Sequence, residues 1–401
     1  MNGHDGSPNV MVVMTTQWRA QAAGYAGDGN ALTPCLDALA EGGAIDFYQA
    51  VTPHPFGVFA RAAFLTGTAC PQNGIRDYFD PLPEDARSMA HRFGERGFDT
   101  AFFGKWQLYE RNPGDPVVGE AHAKIEVPPR RRAGFHFWEG FESGFLLNDG
   151  YYHGSNLGSP TRLMGYQSDV TIDRTIEFLN TRNSESPYFA FVSLDAPHPP
   201  YGEDAAGISA RSPDSIVLDG NVPEDSSIST LARTELAGYY AHIEATDRAI
   251  GRLIAQLKWN GDWDNTLFVF TSAHGDMHGS QGVFRKGWPY EEAVRVPLLM
   301  SWPDQFRKGR RDPLLISLLD LGPTISSLVF GGSKDWEDGA SRGRDLASAI
   351  RLESIGPEFQ FLSMPSVPPF EKQCPYAWSG RRDLNRTYVE SVGGDCFSLD
   401  H

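Results

Sequence analysis

The sequence predicts an α/β protein: a large, mostly parallel sheet sandwiched by helices, followed by a small C-terminal antiparallel subdomain. Three observations predict it. Short apolar runs at 9–14, 100–103, 189–193, 267–271 and 297–302 lack the polar alternation of a half-exposed strand, as strands buried on both faces do. Segments of helical periodicity lie between these runs, and that alternation implies parallel strands covered on both sides. After Gly331 the character changes, and 358–401 reads as a small antiparallel unit. The chain therefore divides into 1–331 and 332–401. At 401 residues it can bury a large core, with one large and one small domain as the natural division.

Each helix has its own signal. Thr33-Pro34 offers an N-cap with proline at the first helical position. The segment 85–96 is stopped by Gly97. Segment 166–180 places Val170, Ile172, Ile176 and Leu179 near helical spacing. A long helix over 231–257 carries the stripe Leu236, Tyr240, Ile243, Ile250 and Leu257, and a helix at 318–329 closes the large domain. Two segments dense in breakers and polar residues, 113–132 and 202–229, are long loops of the kind that carry function or move. There are no internal repeats.

Composition excludes several classes. Hydrophobic residues make up 40% and charged residues 21%, as in a water-soluble globular chain. The net charge of −16 argues against nucleic acid as a partner, although a small anion could still be held in a local basic pocket. No apolar stretch is long enough to span a bilayer, so no membrane partner is expected. Met1–Ser7 has neither a basic patch nor an apolar run and is not read as a signal peptide. The cysteines Cys35, Cys70, Cys374 and Cys396 have no metal-like spacing; free thiols suit a reducing compartment, and a cytoplasmic location is expected. Oligomeric state is not legible.

The motifs carry more. Val51-Thr52-Pro53-His54-Pro55-Phe56-Gly57-Val58-Phe59-Ala60-Arg61 runs on to Leu65-Thr66-Gly67. Further elements follow in order: Pro8 to Thr15 as a first strand, Thr33 to Gly43 as a first helix, Gly104-Lys105-Trp106-Gln107-Leu108, Ala196-Pro197-His198-Pro199-Pro200-Tyr201, Phe270 to Asp276, Arg285-Lys286-Gly287, and Glu291 to Leu298. Together they resemble the type I sulfatases of the alkaline phosphatase superfamily, over nearly the whole chain. The resemblance implies that fold. It also implies that the long loops rim a substrate pocket, and that the C-terminal unit normally continues past the stretch that Phe397-Ser398-Leu399-Asp400 echoes.

In that family a Cys or Ser four residues before the motif Arg is oxidised to formylglycine. Here the Arg is Arg61 and the nucleophile position is Gly57, which has nothing to oxidise. The family binds calcium through two Asp after the first strand and an Asp-Asn or Asp-His pair after a late one. Those positions are Thr16, Gln17, Ala273 and His274. Calcium wants six to eight oxygens with carboxylate charge, and imidazole suits softer metals, so no calcium or other metal cofactor is expected. Asp276 is taken as part of the family's ordinary Gly-Asp element rather than a substitute ligand. Gln107 stands where the motif has His, and Phe59 is expected to fill the old pocket floor.

Arg61, Lys105, His198 and Lys286 match family positions that contact the sulfate or the nucleophile. With carboxylates and calcium gone they should form a cationic pocket at the C-terminal ends of the strands. A sulfate, phosphate or carboxylate would be held there by charge-assisted hydrogen bonds, unless a neighbouring acidic side chain fills the space. Taken singly, each reads more readily as scaffold, Arg61 paired to a local carboxylate and His198 as a satisfied loop histidine; only the four together balance the two readings. His54, His153, His242 and His278 read as structural. Phe135, Phe137, Trp138 and Phe141 read as core, while Tyr151, Tyr152 and His153 could rim the pocket.

Two functions follow. One is a pseudo-sulfatase that binds an anionic ligand or a partner without hydrolysing sulfuric esters. The other is a metal-independent enzyme with repurposed acid–base or lyase chemistry on an anionic substrate. An active sulfuric-ester hydrolase ranks behind both.

Overall fold

In the computed structural model, residues 7–183, 185–306, 309–336, 343–391 and 396–401 are described. Ten strands form the main sheet: β1 (Asn9–Thr15), β2 (Ile45–Phe47), β3 (Asp99–Lys105), β4 (Phe137–Phe141), β5 (Tyr151–Gly154), β6 (Gly158–Arg162), β7 (Tyr188–Ser193), β8 (Thr266–Ser272), β9 (Leu298–Ser301) and β10 (Arg310–Asp312). Their order is β10-β2-β9-β8-β1-β7-β3-β4-β5-β6. The centre, β8-β1-β7-β3-β4, is parallel, whereas β9, β5 and β6 pair antiparallel with their neighbours. A second, antiparallel sheet has the order β11 (Gln360–Met364), β12 (Trp378–Arg382), β13 (Arg386–Ser391) and β14 (Cys396–Asp400).

The central strands read as unbroken apolar runs because both of their faces are buried. Val10, Val12 and Met14 of β1 belong to one core cluster, and Met11 and Val13 to the other. Strand β7 divides in the same way, with Phe189 and Phe191 on one side and Ala190 and Val192 on the other. Truncating one such aromatic, Phe191→Ala, would cost about 3–5 kcal/mol. The first cluster continues through Trp336, Ile350, Leu362 and Trp378, so the C-terminal sheet shares its core with the main sheet.

Helix boundaries follow capping. The long helix is Ser226–Asn260, starting before 231 because the Asp225 carboxylate accepts from the backbone N–H of Ser227 and Ile228. It stops at Gly261, whose left-handed φ of 77° suits glycine. The helix expected over 85–96 is only Met89–Gly94. A capping box between Ser88 and His91 sets its start, and a turn follows directly. The loop 202–229 thus gives up its end to the long helix and holds a 3-10 turn at Pro213–Ser215, and 113–132 holds a short helix at Glu120–Ala123. Among the described residues, no helix is long and apolar enough to cross a membrane.

Candidate anion-binding site

Thr16 and Gln17 follow β1, Lys105 ends β3, His198 follows β7 and His274 follows β8, so the parallel strands deliver all five to one edge of the sheet. Crevices beyond the carboxyl ends of such strands are where open α/β sheets place ligands. A cavity of about 740 Å³ opens there, lined by Thr16, Gly57, Lys105, Gln107, His198, His274 and Lys286 among others. Helix Gly57–Thr66 points its N-terminus at it, and its N-cap residue Phe56 supplies no side-chain cap. Uncapped N–H groups at a helix start favour anions.

The two lysines sit differently. Lys105 Nζ is paired with Asp195 Oδ1 at 2.7 Å, both side chains buried, and lies 4.3 Å above the Phe145 ring. Burial pulls Lys105 down to about 8 against the pull of Asp195, with Arg61 adding to the fall. Lys286 Nζ donates to Gln17 Oε1 and to His198 Nε2, the latter at 2.9 Å. Both partners are neutral. Burial first, then Lys105, push the Lys286 amine well below its ordinary range.

The imidazoles have fixed tautomers. His198 Nδ1 is 2.6 Å from the Pro199 carbonyl and so carries the proton, leaving Nε2 to accept from Lys286. The ring stacks on Phe145 with centroids 4.5 Å apart. His274 Nδ1 donates to the Gly275 carbonyl at 2.8 Å, and its ring stacks on Phe56. Burial and Lys286 hold both histidines well below the usual imidazole range.

Of the positions equated with metal ligands, Thr16 and Gln17 are otherwise engaged. Gln17, at a left-handed φ of 68°, gives Oε1 to Lys286, while its Nε2 donates to Asp276 Oδ2 and, at 3.1 Å, to Tyr201 Oη. Thr16 Oγ1 accepts from Arg61 Nη2 at 2.6 Å. Ala273 is packed in the core. Oxygens that already accept from cationic side chains do not fit a calcium shell. Among the described residues no group of three or more His, Cys, Asp or Glu is placed to hold a metal. Asp276 is tied to the site through Gln17 and Tyr201, which both donate to its Oδ2. Burial opposes its charge, but His278, Arg285, Tyr201 and Lys286 outweigh that and keep its carboxyl ionised.

Arg61 does not reach the cavity. It is 1% exposed and bonds three neutral oxygens: Ser193 Oγ at 3.2 Å, Gln107 Oε1 at 3.1 Å and Thr16 Oγ1. None belongs to a carboxylate, so neither the pocket reading nor the local-pair reading describes it. Burial brings its pKa down to about 10. Its Nη1 and Gln107 Oε1 crowd Gly57: a Cβ there would lie 2.8 Å from the first and 2.7 Å from the second. Phe59 packs in the core and leaves the cavity to Phe56, because every residue of helix Gly57–Thr66 is buried and Phe59 faces away.

Tyr151, Tyr152 and His153 do not line this cavity. Tyr152 Oη bonds Thr171, Tyr151 Oη bonds Glu120, and His153 Nε2 accepts from Val127 N–H. His54, His242 and His278 are buried away from its wall. Sequence reasoning missed Asp195 and the aromatic wall of Tyr78, Phe145 and Phe370. Asp195 had a signal, a charge two residues past a fully buried strand; the ring positions had none.

Comparison with known proteins agrees with this fold. The family profile described as Sulfatase matches residues 8–332. The chain is 33% identical over 407 residues to an ulvan-active sulfatase of Formosa agariphila, covering 98% of this chain and 75% of that one. It is 26% identical over 398 residues to an arylsulfatase of Clostridium perfringens, covering 83% and 77%. The crystal structure of a putative sulfatase from Bacteroides fragilis superposes with a TM-score of 0.88 at 25% identity, covering 100% of this chain and 90% of that one. A structure in complex with D-glucosamine-2-N,6-O-disulfate superposes with a TM-score of 0.80 at 21% identity, covering 98% and 91%. With the ten-stranded sheet, the motif order and a profile spanning most of its length in agreement, the chain belongs to the sulfatase family.

Proposed function

We propose that this chain is a sulfatase-fold protein without sulfuric-ester hydrolase activity, and that it binds a small anionic ligand, or a partner presenting one, through Lys105, His198 and Lys286. One observation carries the loss of hydrolysis: the volume a nucleophile's Cβ would need at Gly57 is taken by Gln107 Oε1 and Arg61 Nη1. The residue has no side chain to act as nucleophile, and the tips of Gln107 and Arg61 lie where one would begin.

The same surroundings favour binding. Lys286 faces two neutral partners, and an entering sulfate, phosphate or carboxylate would supply the missing counter-charge. The uncapped start of helix Gly57–Thr66 adds backbone donors. Arg61 serves from behind the wall, holding Thr16 and Gln107 in place. The residues at the family's metal positions do not fit calcium.

The test has two parts. Incubation with 4-nitrophenyl sulfate should give no turnover above background, and calorimetric titration with inorganic sulfate or phosphate should give saturable binding that Lys286→Met removes. Hydrolysis that a pocket substitution abolishes would overturn the first part, and no saturable binding the second.

The depressed amines of Lys105 and Lys286 favour the second reading, acid–base or lyase chemistry on an anionic substrate. Turnover of an anionic substrate in chelator, lost in Lys286→Met, would select it.

A further inference from the structure

The cation cluster explains how an anion could be held but not how one anion would be told from another. His274 lines the same cavity and is fully buried. Its Nδ1–H is committed to the Gly275 carbonyl, so the ring's other nitrogen can only accept. Among the described residues Nε2 has no hydrogen-bond partner. Stacking against Phe56 and the Nδ1 bond together fix the ring's plane and rotation. The contrast with His198 is instructive, since that ring has the same tautomer but its Nε2 already accepts from Lys286.

We propose that His274 is a specificity-determining residue, whose Nε2 accepts a hydrogen bond from a hydroxyl or amide N–H that the ligand carries beside its anionic group. This rests on the anion-site reading above and deepens it from any anion to one bearing a donor.

Two physical points support it. A buried acceptor without a partner is costly, and a ligand donor relieves that cost on binding, whereas a methyl group in the same place does not. The lone pair also repels an anionic oxygen. The charged group is therefore directed to Lys286 and Lys105, and the donor to the His274 side of the cavity. The cavity's volume of about 740 Å³ leaves room for a ligand larger than the anionic group alone.

The experiment compares matched sulfonates by calorimetry: 2-hydroxyethanesulfonate against 1-propanesulfonate, and 3-hydroxypropanesulfonate against 1-butanesulfonate. In the unsubstituted protein the hydroxylated member of at least one pair should bind about fivefold to tenfold more tightly. His274→Phe keeps a ring of similar size without the acceptor and should erase that preference, so that the two members of each pair bind alike. His274→Asn, which keeps an acceptor, should restore part of it. Should His274→Phe fail to fold, nitrogen-15 histidine spectra of the unsubstituted protein give an independent reading. The Nε2 resonance of His274 must shift toward a hydrogen-bonded position with the hydroxylated compound and not with its alkyl analogue. Equal binding within both pairs, or a preference that survives His274→Phe, overturns the inference and leaves the anion site standing. Binding of none of the four compounds removes the anion site and this inference with it.

Discussion

Gln107 Oε1 lies 2.7 Å from the point where a Cβ on Gly57 would sit, and the same oxygen accepts from Arg61 Nη1 at 3.1 Å. Glycine at 57 and glutamine at 107 are thus two halves of one arrangement. A side chain at 57 must displace the amide and break its bond to the buried guanidinium.

That relationship gives the first prediction. Glycine to alanine at the start of a helix ordinarily stabilises by up to about 1 kcal/mol. Here crowding and the lost hydrogen bond should outweigh it, so Gly57→Ala should cost a net of roughly 1 kcal/mol. In a Gln107→Ala background the penalty should shrink to what the Arg61 Nη1 contact alone imposes. A double-mutant cycle from urea unfolding checks it, and a coupling near zero would show that the two positions are independent.

Proton linkage gives the second. An anion stabilises protonated Lys286, whose folded pKa is depressed. Above that pKa the amine is neutral, and binding must take up a proton. Sulfate affinity should therefore fall as pH rises through the Lys286 pKa, in a range below the ordinary lysine value. Calorimetry in two buffers of different ionisation enthalpy measures the proton uptake directly. Flat affinity and no uptake would mean that Lys286 does not face the anion.

The third concerns the buried pair of Lys105 and Asp195. Asp195→Asn leaves an ammonium without its counter-charge, and breaking such a pair costs about 3–5 kcal/mol. Lys105 is charged below about 8 and neutral above it. The cost should thus be largest at acidic to neutral pH and shrink as pH rises past that value. Chemical denaturation of both proteins across pH gives the difference curve, and a pH-independent cost would remove the electrostatic account.

Calcium gives the fourth. A ligand that binds only the folded state raises the melting temperature by mass action. Because Gln17 Oε1 and Thr16 Oγ1 already accept from Lys286 and Arg61, calcium in excess should leave the melting temperature unchanged. A saturable rise that Gln17→Ala abolishes would contradict this.

How far the sequence could be read depended on burial. Strands β1, β3, β7 and β8 were legible because both faces are covered and the residues are apolar without a break. Strands β6, with Gly158-Ser159-Pro160-Thr161-Arg162, and β10, with Arg310-Arg311-Asp312, were not, since edge strands with solvent on one side need no apolar run. In the site, motif register brought Lys105, His198 and Lys286 to one place, because register fixes which strand end a residue occupies. Register does not fix where a side chain turns. Arg61 could reach the cavity or lie behind it, and only the oxygens of Ser193, Gln107 and Thr16 decide. Phe145 and Phe370 arrive through tertiary packing, which leaves no mark in local sequence.

Phe370 sits between the two sheets' territories. It belongs to the connection from β11 to β12, yet its ring packs against Phe56, Tyr78 and Phe145 in the cavity wall. Along the same connection the Cys374 amide donates to the Lys286 carbonyl, and just beyond it the Trp378 indole donates to the Gly287 carbonyl. The small sheet thus acts as a brace for the loop that carries Lys286. Loosening those strands should therefore weaken the proposed anion binding, and an anion held by Lys286 should in turn protect the C-terminal strands from a protease.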